Sequence, residues 1–355
     1  MPDLGQCKPQ PSYPSGPGSG LWRIYATGPW ATALFYAKKG PLFTKRGLAA
    51  RDSVRMSTIP WLWAVFTIVA AGGQTMRNAM QRHLIGALGT VGATHVRFLF
   101  GLPFAVVFLV LLLVATGEPL PTLTFSSFAW ITAGAIGQMV ATALMLAAMR
   151  DRSFVVTIAY TKTEPVQVAL FGVVMLGDHV TLPLAVAIVM ATAGVLVVSW
   201  PKKLAEGEVW SWRPAILGMG AGGLFAIAAV GFRGGIIAME ASSFLIGASA
   251  TLVLGLCIQT VMMSAYLLVR DRAALIAIFR AWRPSMFAGF MGAFASQLWF
   301  FAFAIESAAR VRTLALVEIF FAQLVSRNLF GQGLSLREGA GIALLIVGVI
   351  LLFAG

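Results

Sequence analysis

Two carboxylates interrupt long apolar stretches of this chain: Glu164, in Lys162-Thr163-Glu164-Pro165-Val166-Gln167, and Glu318, in Leu316-Val317-Glu318-Ile319. A charged side chain at the centre of a bilayer costs ~2.5–3.5 kcal/mol on insertion scales, so a carboxylate there needs a task. On a helix, Glu164 shares one face with Tyr160, four residues before it, and Gln167, three after it. Pro165 lacks a backbone donor and, in mid-helix, leaves the carbonyl of Thr161 without its usual partner. A kinked helix with a free carbonyl beside a carboxylate is a site that can bind a polar substrate or carry a proton. The alternative is structural, with Glu164 pairing to Lys162, Arg97 or His95 and pinning helices together. Lys162 is ~200° around the helix from Glu164, which argues against that local pair. Glu318 has the same two readings, a site or a salt bridge, and they stand level. Two such carboxylates from related helices, facing one cavity, are candidate proton carriers.

Lys162, His95 and Arg97 are the candidate positive groups. Each can neutralise a substrate carboxylate or extend to lipid headgroups; Arg97 and His95 fit the second role better, and Lys162 fits both. Gln138 and Gln297 either line a polar path or hydrogen-bond between helices. Trp299, Phe300, Phe301 and Phe303 form an aromatic cluster. Such faces recognise apolar or cationic groups, although packing is the commoner use of phenylalanine. Gly218-Met219-Gly220 with Gly222-Gly223 only faintly resembles a dinucleotide loop and follows no strand, so these glycines, like Gly72-Gly73, read as helix contacts. Cys7 and Cys257 make no disulfide framework, and no cysteine/histidine spacing fits a metal, so neither cofactor nor metal is expected.

The elements that must hold these residues follow from composition. Of 355 residues, 59% are hydrophobic and 11% charged, with a mean hydropathy of +0.85; a soluble domain carries about 25% charged residues. That balance excludes a soluble enzyme, a disordered scaffold and a nucleic-acid-binding domain. The net charge of +13, from 26 Lys+Arg against 13 Asp+Glu, falls mostly in short gaps between apolar runs, where it meets anionic headgroups. A spanning helix takes ~20 apolar residues, which places spans at 60–80, 92–115, 127–148, 154–176, 182–200, 214–233, 243–269, 284–304, 311–330 and 338–354. Continuous runs argue against a β-barrel, whose strands alternate over ~10 residues. The expected fold is all-α, a polytopic membrane protein of ten transmembrane helices. Residues 1–55 form a basic tail rich in Pro, Gly and Ser, read either as disordered or as sequence preceding a true start at Met56.

The halves 60–200 and 214–355 repeat one another. A shift of 154 residues lays Glu164 on Glu318, Gly177 on Gly331, Thr181-Leu182 on Ser335-Leu336 and Gly194-Val195 on Gly348-Val349. A shift of 155 lays Ala133-Gly134 and Gly137 on Ala288-Gly289 and Gly292, and a shift of 150 matches Ala-Gly-Gly at 71–73 with 221–223. Five spans per half is an odd number, so the halves sit upside-down relative to one another. Inverted repeats support alternating access around a midplane site.

These residues resemble a family. Glu164-Pro165-Val166-Gln167, then Leu176-Gly177-Asp178, then Gly194-Val195-Leu196, look like the end of an EamA domain. The second half repeats the frame as Glu318-Ile319, Phe330-Gly331-Gln332 and Gly348-Val349-Ile350, and Arg97 matches a basic residue common near the start of the second span. Ile319 in place of the proline and Gln332 in place of an acidic residue depart from the pattern. The resemblance covers 60 to 355, as two EamA repeats of the drug/metabolite transporter superfamily. It implies a permease, in a bacterial inner membrane, with both termini cytoplasmic.

The expected activity is secondary transport of a small organic metabolite or drug, proton-coupled through Glu164 and Glu318. Lys162, Tyr160, Gln167, Gln138 and Gln297 complete the expected site, with Pro165 as the kink. An intramembrane enzyme and a passive channel are the alternatives; no Gly-x-Ser-x-Gly occurs, which weighs against the first. The expected partners are a small-molecule substrate and anionic lipid, with no nucleic acid; a homodimer is one arrangement the sequence permits. For orientation, Arg77 and Arg82 are counted as gap charges on one side with most other basic residues. Arg233, Arg310 and Arg312 are counted on the side of the termini, where the basic tail evens the balance.

Overall fold

The computed structural model describes residues 60–151, 160–199, 213–321 and 336–354. Among these residues every regular element is helical, apart from an isolated bridge between Thr122 and Glu240. Helix α1 is Leu62–Leu99, α2 Gly101–Thr116, α3 Phe125–Asp151, α4 Glu164–Phe171 and α5 Leu182–Ser199. The second half has α6 Arg213–Ala238, α7 Phe244–Arg270, α8 Arg272–Arg280, α9 Trp282–Ile305, α10 Ala308–Leu314 and α11 Leu336–Ala354. Six stretches are long and apolar enough to cross a membrane: His83–Thr116, Phe125–Ala148, Ile216–Ala238, Phe244–Arg270, Trp282–Ile305 and Leu336–Ala354. Glu164–Leu176 and Leu182–Val198 are shorter apolar helices. The basic tail, the start of the fourth expected span, Gly331, Gln332 and Ser335 all lie outside the described residues.

The first two expected spans were separated by a gap at 81–91, but helix continues through it. The only interruption is Gly89, at φ 67° and ψ 176°, a left-handed value that glycine adopts without a Cβ penalty. Gln81, fully buried, donates from Nε2 to the carbonyl of Ala93 at 3.0 Å and so ties the two sides of the break together. This extension carries Arg77 well inside a helix rather than leaving it at an end.

Before each of the two carboxylates the helix tightens. Thr163 N–H donates to the carbonyl of Tyr160, three residues back, at 3.5 Å, and α4 opens at Glu164. In the second half, α10 ends at Leu314 and a 3₁₀ turn, Ala315–Val317, leads into Glu318. Pro165 therefore lies in the first turn of α4, where a missing N–H costs nothing, and does not bend a continuous helix. Thr161 is not without a partner. Beyond α4, Gly172–Leu176 is a π turn, closed by Gly177 in the left-handed region at φ 67°. Short 3₁₀ and π segments inside helices recur at functional hinges.

Helix α8 was not expected as an element. Asp271 caps it, its carboxylate accepting from Ala274 N–H at 2.9 Å, and its nine residues are too few to span. The most extensive packings are α3 along α6, α1 along α9 and α5 along α11. Small residues let these backbones meet, as expected of helices in lipid. A Cβ added to Gly231 would sit 2.8 Å from Gly134 N, and one on Gly194 would sit 2.6 Å from the carbonyl oxygen of Gly341.

Candidate functional site

A small polar cavity lies among α1, α3, α6, α9, α10 and the start of α4. Two ion pairs cross it. Arg312, on α10, places Nε 3.1 Å from Oε1 of Glu164. Lys162 Nζ is paired with Oε1 of Glu318, and Gln74 on α1 donates to Oε2 of the same carboxylate at 3.2 Å. Each carboxylate is thus held by a cation from the opposite half of the chain. The Arg312 guanidinium also lies 4.6 Å from the ring centroid of Trp299 and 5.3 Å from that of Phe303. Cation–π contacts of this geometry strengthen as water is excluded.

Two further arginines line the cavity, and among the described residues neither has a carboxylate of its own. Arg77, 3% exposed, donates from Nε and Nη2 to Oδ1 of Asn78 at 3.2 and 2.7 Å, while Nη1 has no acceptor among the described residues. Arg97, 4% exposed, has an Nε with no acceptor there and lies 5.5 Å from the ring centroid of Phe98. It is buried in the protein and does not reach toward headgroups as the sequence reading favoured. Gly292 makes room for both stems: a Cβ there would be 3.3 Å from Cγ of Arg97 and 3.4 Å from Cδ of Arg77.

Of the residues expected at the site, Glu164, Glu318, Lys162 and Gln138 line this cavity. Gln138 also accepts from Gln259 Nε2 at 2.9 Å, bridging α3 and α7. Tyr160 and Gln167 do not share a cavity face with Glu164. Tyr160 packs on Gly218, and Gln167 lies against Gly222 and Gly223, so both serve the contact between the fourth-span region and α6. Gln297 donates to Ser249 Oγ at 2.8 Å and joins α9 to α7 away from the cavity. His95 is 3.0 Å from Ser264 Oγ through Nε2, a bond between α1 and α7. Trp299, Phe300 and Phe303 line the cavity, whereas Phe301 packs on Phe66, ring centroids 5.4 Å apart.

Sequence reasoning missed Gln74, Arg77, Asn78 and Arg312. Arg77 and Arg312 were counted as charges in loops, because a window of hydropathy ends a helix wherever charges appear. The signal that marks Arg312 is its setting, Ala308-Ala309-Arg310-Val311-Arg312-Thr313-Leu314-Ala315-Leu316, in which apolar residues continue on both sides.

A second polar cluster joins helix ends. Arg233 on α6 donates through Nη1 to the carbonyl of Phe303 at 2.6 Å and to the carbonyl of Glu306, and its Nε is 3.8 Å from Oδ2 of Asp178. Nearby in sequence to these ends, the exposed carboxylate of Glu118 accepts from Ser242 at 2.7 Å and Ser243 at 2.5 Å, which holds its carboxyl below the usual carboxylate range.

No family model matches the chain, and no curated protein matches it. A solved structure described only as "Crystal structure of protein" is similar in fold, with a TM-score of 0.58 at 13% identity, over 82% of this chain and 95% of that one. At that identity the likeness concerns the fold alone.

Proposed function

We propose that this protein is a secondary transporter of a small organic molecule, built from two inverted five-helix halves and resembling EamA permeases of the drug/metabolite transporter superfamily, in a bacterial inner membrane. The observation that carries the reading is the pair of helix breaks immediately before Glu164 and Glu318, 154 residues apart, both facing one cavity and each carboxylate held by a cation from the other half. Broken helices around a central cavity are the recurring device of carriers with inverted repeats.

The packing supports the duplication. If α1 corresponds to α6 and α3 to α9, the α3–α6 and α1–α9 pairs exchange, and these are two of the three most extensive packings. The third, α5 with α11, is its own counterpart. There a Cβ on Gly194 would meet Gly341 and Leu345, and one on Gly348 would meet Ala187 and Ala191. The two sets differ by the same 154 residues, and the contacts run antiparallel, as inverted halves require.

Proton exchange at Glu164 and Glu318 supplies the driving force in this reading. A substrate entering the cavity loosens the Arg312–Glu164 or Lys162–Glu318 pair and frees a carboxylate, which then takes up a proton. The test is transport into liposomes at several pH values, after comparison of metabolites in deletion and overexpressing cells has supplied a substrate. Glu164→Gln and Glu318→Gln are expected to lower net uptake at least about tenfold while flattening its pH dependence. An unchanged pH profile in both variants contradicts the coupling. Counterflow separates the carrier from a passive channel, because only a carrier is accelerated by substrate on the far side.

A further inference from the structure

We infer that the cavity binds an organic oxyanion, a carboxylate or phosphate on an apolar or aromatic body, with Arg77 and Arg97 as its charge-binding residues. This inference rests on the carrier reading above and names its substrate class.

The charges at the cavity do not balance. Its lining holds four cations, Arg77, Arg97, Lys162 and Arg312, against two carboxylates, Glu164 and Glu318. Both carboxylates are already engaged, with Arg312 and Lys162 respectively. Arg77 donates to the neutral amide of Asn78, and Nε of Arg97 has no acceptor among the described residues. A buried guanidinium without a paired counter-charge is strongly unfavourable, and the stems of Arg77 and Arg97 run past the same residue, Gly292. Such an arrangement is stable to selection when a counter-charge arrives as ligand.

Most of the unmet hydrogen-bonding capacity at the lining is donor capacity, Oε1 of Glu164 being the exception. Nη1 of Arg77, Nε of Arg97 and Nε1 of Trp299 are all buried donors without an acceptor among the described residues, and all three residues line the cavity. Two of the amide acceptors at the lining are in use, since Asn78 accepts from Arg77 and Gln138 from Gln259. A ligand that mainly accepts completes this set, and a planar guanidinium matches the two oxygens of a carboxylate or phosphate. A cationic ligand meets repulsion from the unpaired arginines instead. The rings of Trp299, Phe300 and Phe303 offer the ligand body an apolar wall.

The site is also built for the two arginine stems. Gly292 is the position on α9 past which both run, and a side chain there would press on each.

The test uses the full chain, purified in neutral detergent, with four probes of similar size at fixed ionic strength: phenyl phosphate, benzoate, benzyl alcohol and benzylamine. Binding is read by calorimetry. Phenyl phosphate and benzoate are expected to bind and the alcohol and amine are not, with affinity for the anions falling on the order of 30-fold in Arg77→Gln and in Arg97→Gln. Arg97→Lys is expected to recover part of the loss. Equal binding of the alcohol or amine, no binding of either anion by monodisperse wild-type protein, or unchanged affinity in both glutamine variants overturns the inference. If the glutamine variants fail to fold, the wild-type probe series decides alone. Repeating the titration in nanodiscs of phosphatidylglycerol and of phosphatidylcholine separates a soluble anion from a lipid headgroup. Equal affinity in both supports the soluble ligand, and abolition by phosphatidylglycerol overturns it. Anion binding without counterflow of phenyl phosphate in liposomes removes the carrier reading and leaves the site; counterflow of the amine without anion binding removes the site and leaves the carrier.

Discussion

Glu164 and Arg312 face each other at 3.1 Å with side chains only 13% and 9% exposed. Burial of both makes the loss of one worse than the loss of the pair. Arg312→Gln is expected to destabilise by about 3–5 kcal/mol because it leaves Glu164 buried without its partner, whereas Glu164→Gln combined with Arg312→Gln is expected to recover much of that. Thermal unfolding in detergent, run as a double-mutant cycle, reads the coupling; additive losses contradict the pairing. At this scale the sequence was half legible. Glu164 and Glu318 stood out because a carboxylate in an apolar run is rare. Their partners did not, because Arg312 lies 148 residues beyond Glu164 and Lys162 lies 156 before Glu318, and no local spacing links them. Arg77 was hidden for a different reason. Charges that build a buried site and charges that end a helix look alike in a hydropathy window.

Helices α5 and α11 meet through glycines, and their contact is the most direct junction of the two halves. A side chain at Gly194 has backbone on every near side: Gly341 O and Leu345 N would each be 2.6 Å from its Cβ. Gly348 has the reciprocal surroundings, with Ala191 N 2.6 Å from an added Cβ. Gly194→Val and Gly348→Val are each expected to cost about 1–3 kcal/mol by overpacking, with similar losses of thermal stability in detergent. A large loss in one and none in the other contradicts the reciprocal contact. The sequence did mark both glycines as repeat positions, and it marked the apolar runs that became α2, α3, α5, α6, α7, α9 and α11. It missed the uninterrupted helix through 81–88 and the short α8, since both depend on single polar contacts, Gln81 to Ala93 and Asp271 to Ala274, that a window of averaged hydropathy cannot register.

The proposed account of the whole molecule rests on one relation: two equivalent helix groups, one inverted, around the polar cavity. All-α architecture and membrane-spanning length were legible because composition dictates them, and the repeat offset of 154 recurs in the glycine contacts of α5 and α11. The side on which the termini lie was less legible, because Arg77 and Arg312, counted among loop charges, are buried at the cavity. Charges inside the protein carry no vote in the positive-inside rule. The inversion itself is tested most directly by impermeant thiol labelling of single cysteines at His179 and Gln332, which fall at corresponding places in the two sequence repeats, in a background of Cys7→Ser and Cys257→Ser. Inverted halves place the two on opposite faces of the membrane, so a reagent added from one side labels one cysteine and spares the other. Labelling of both from the same side contradicts the inverted repeat, and the carrier built on it.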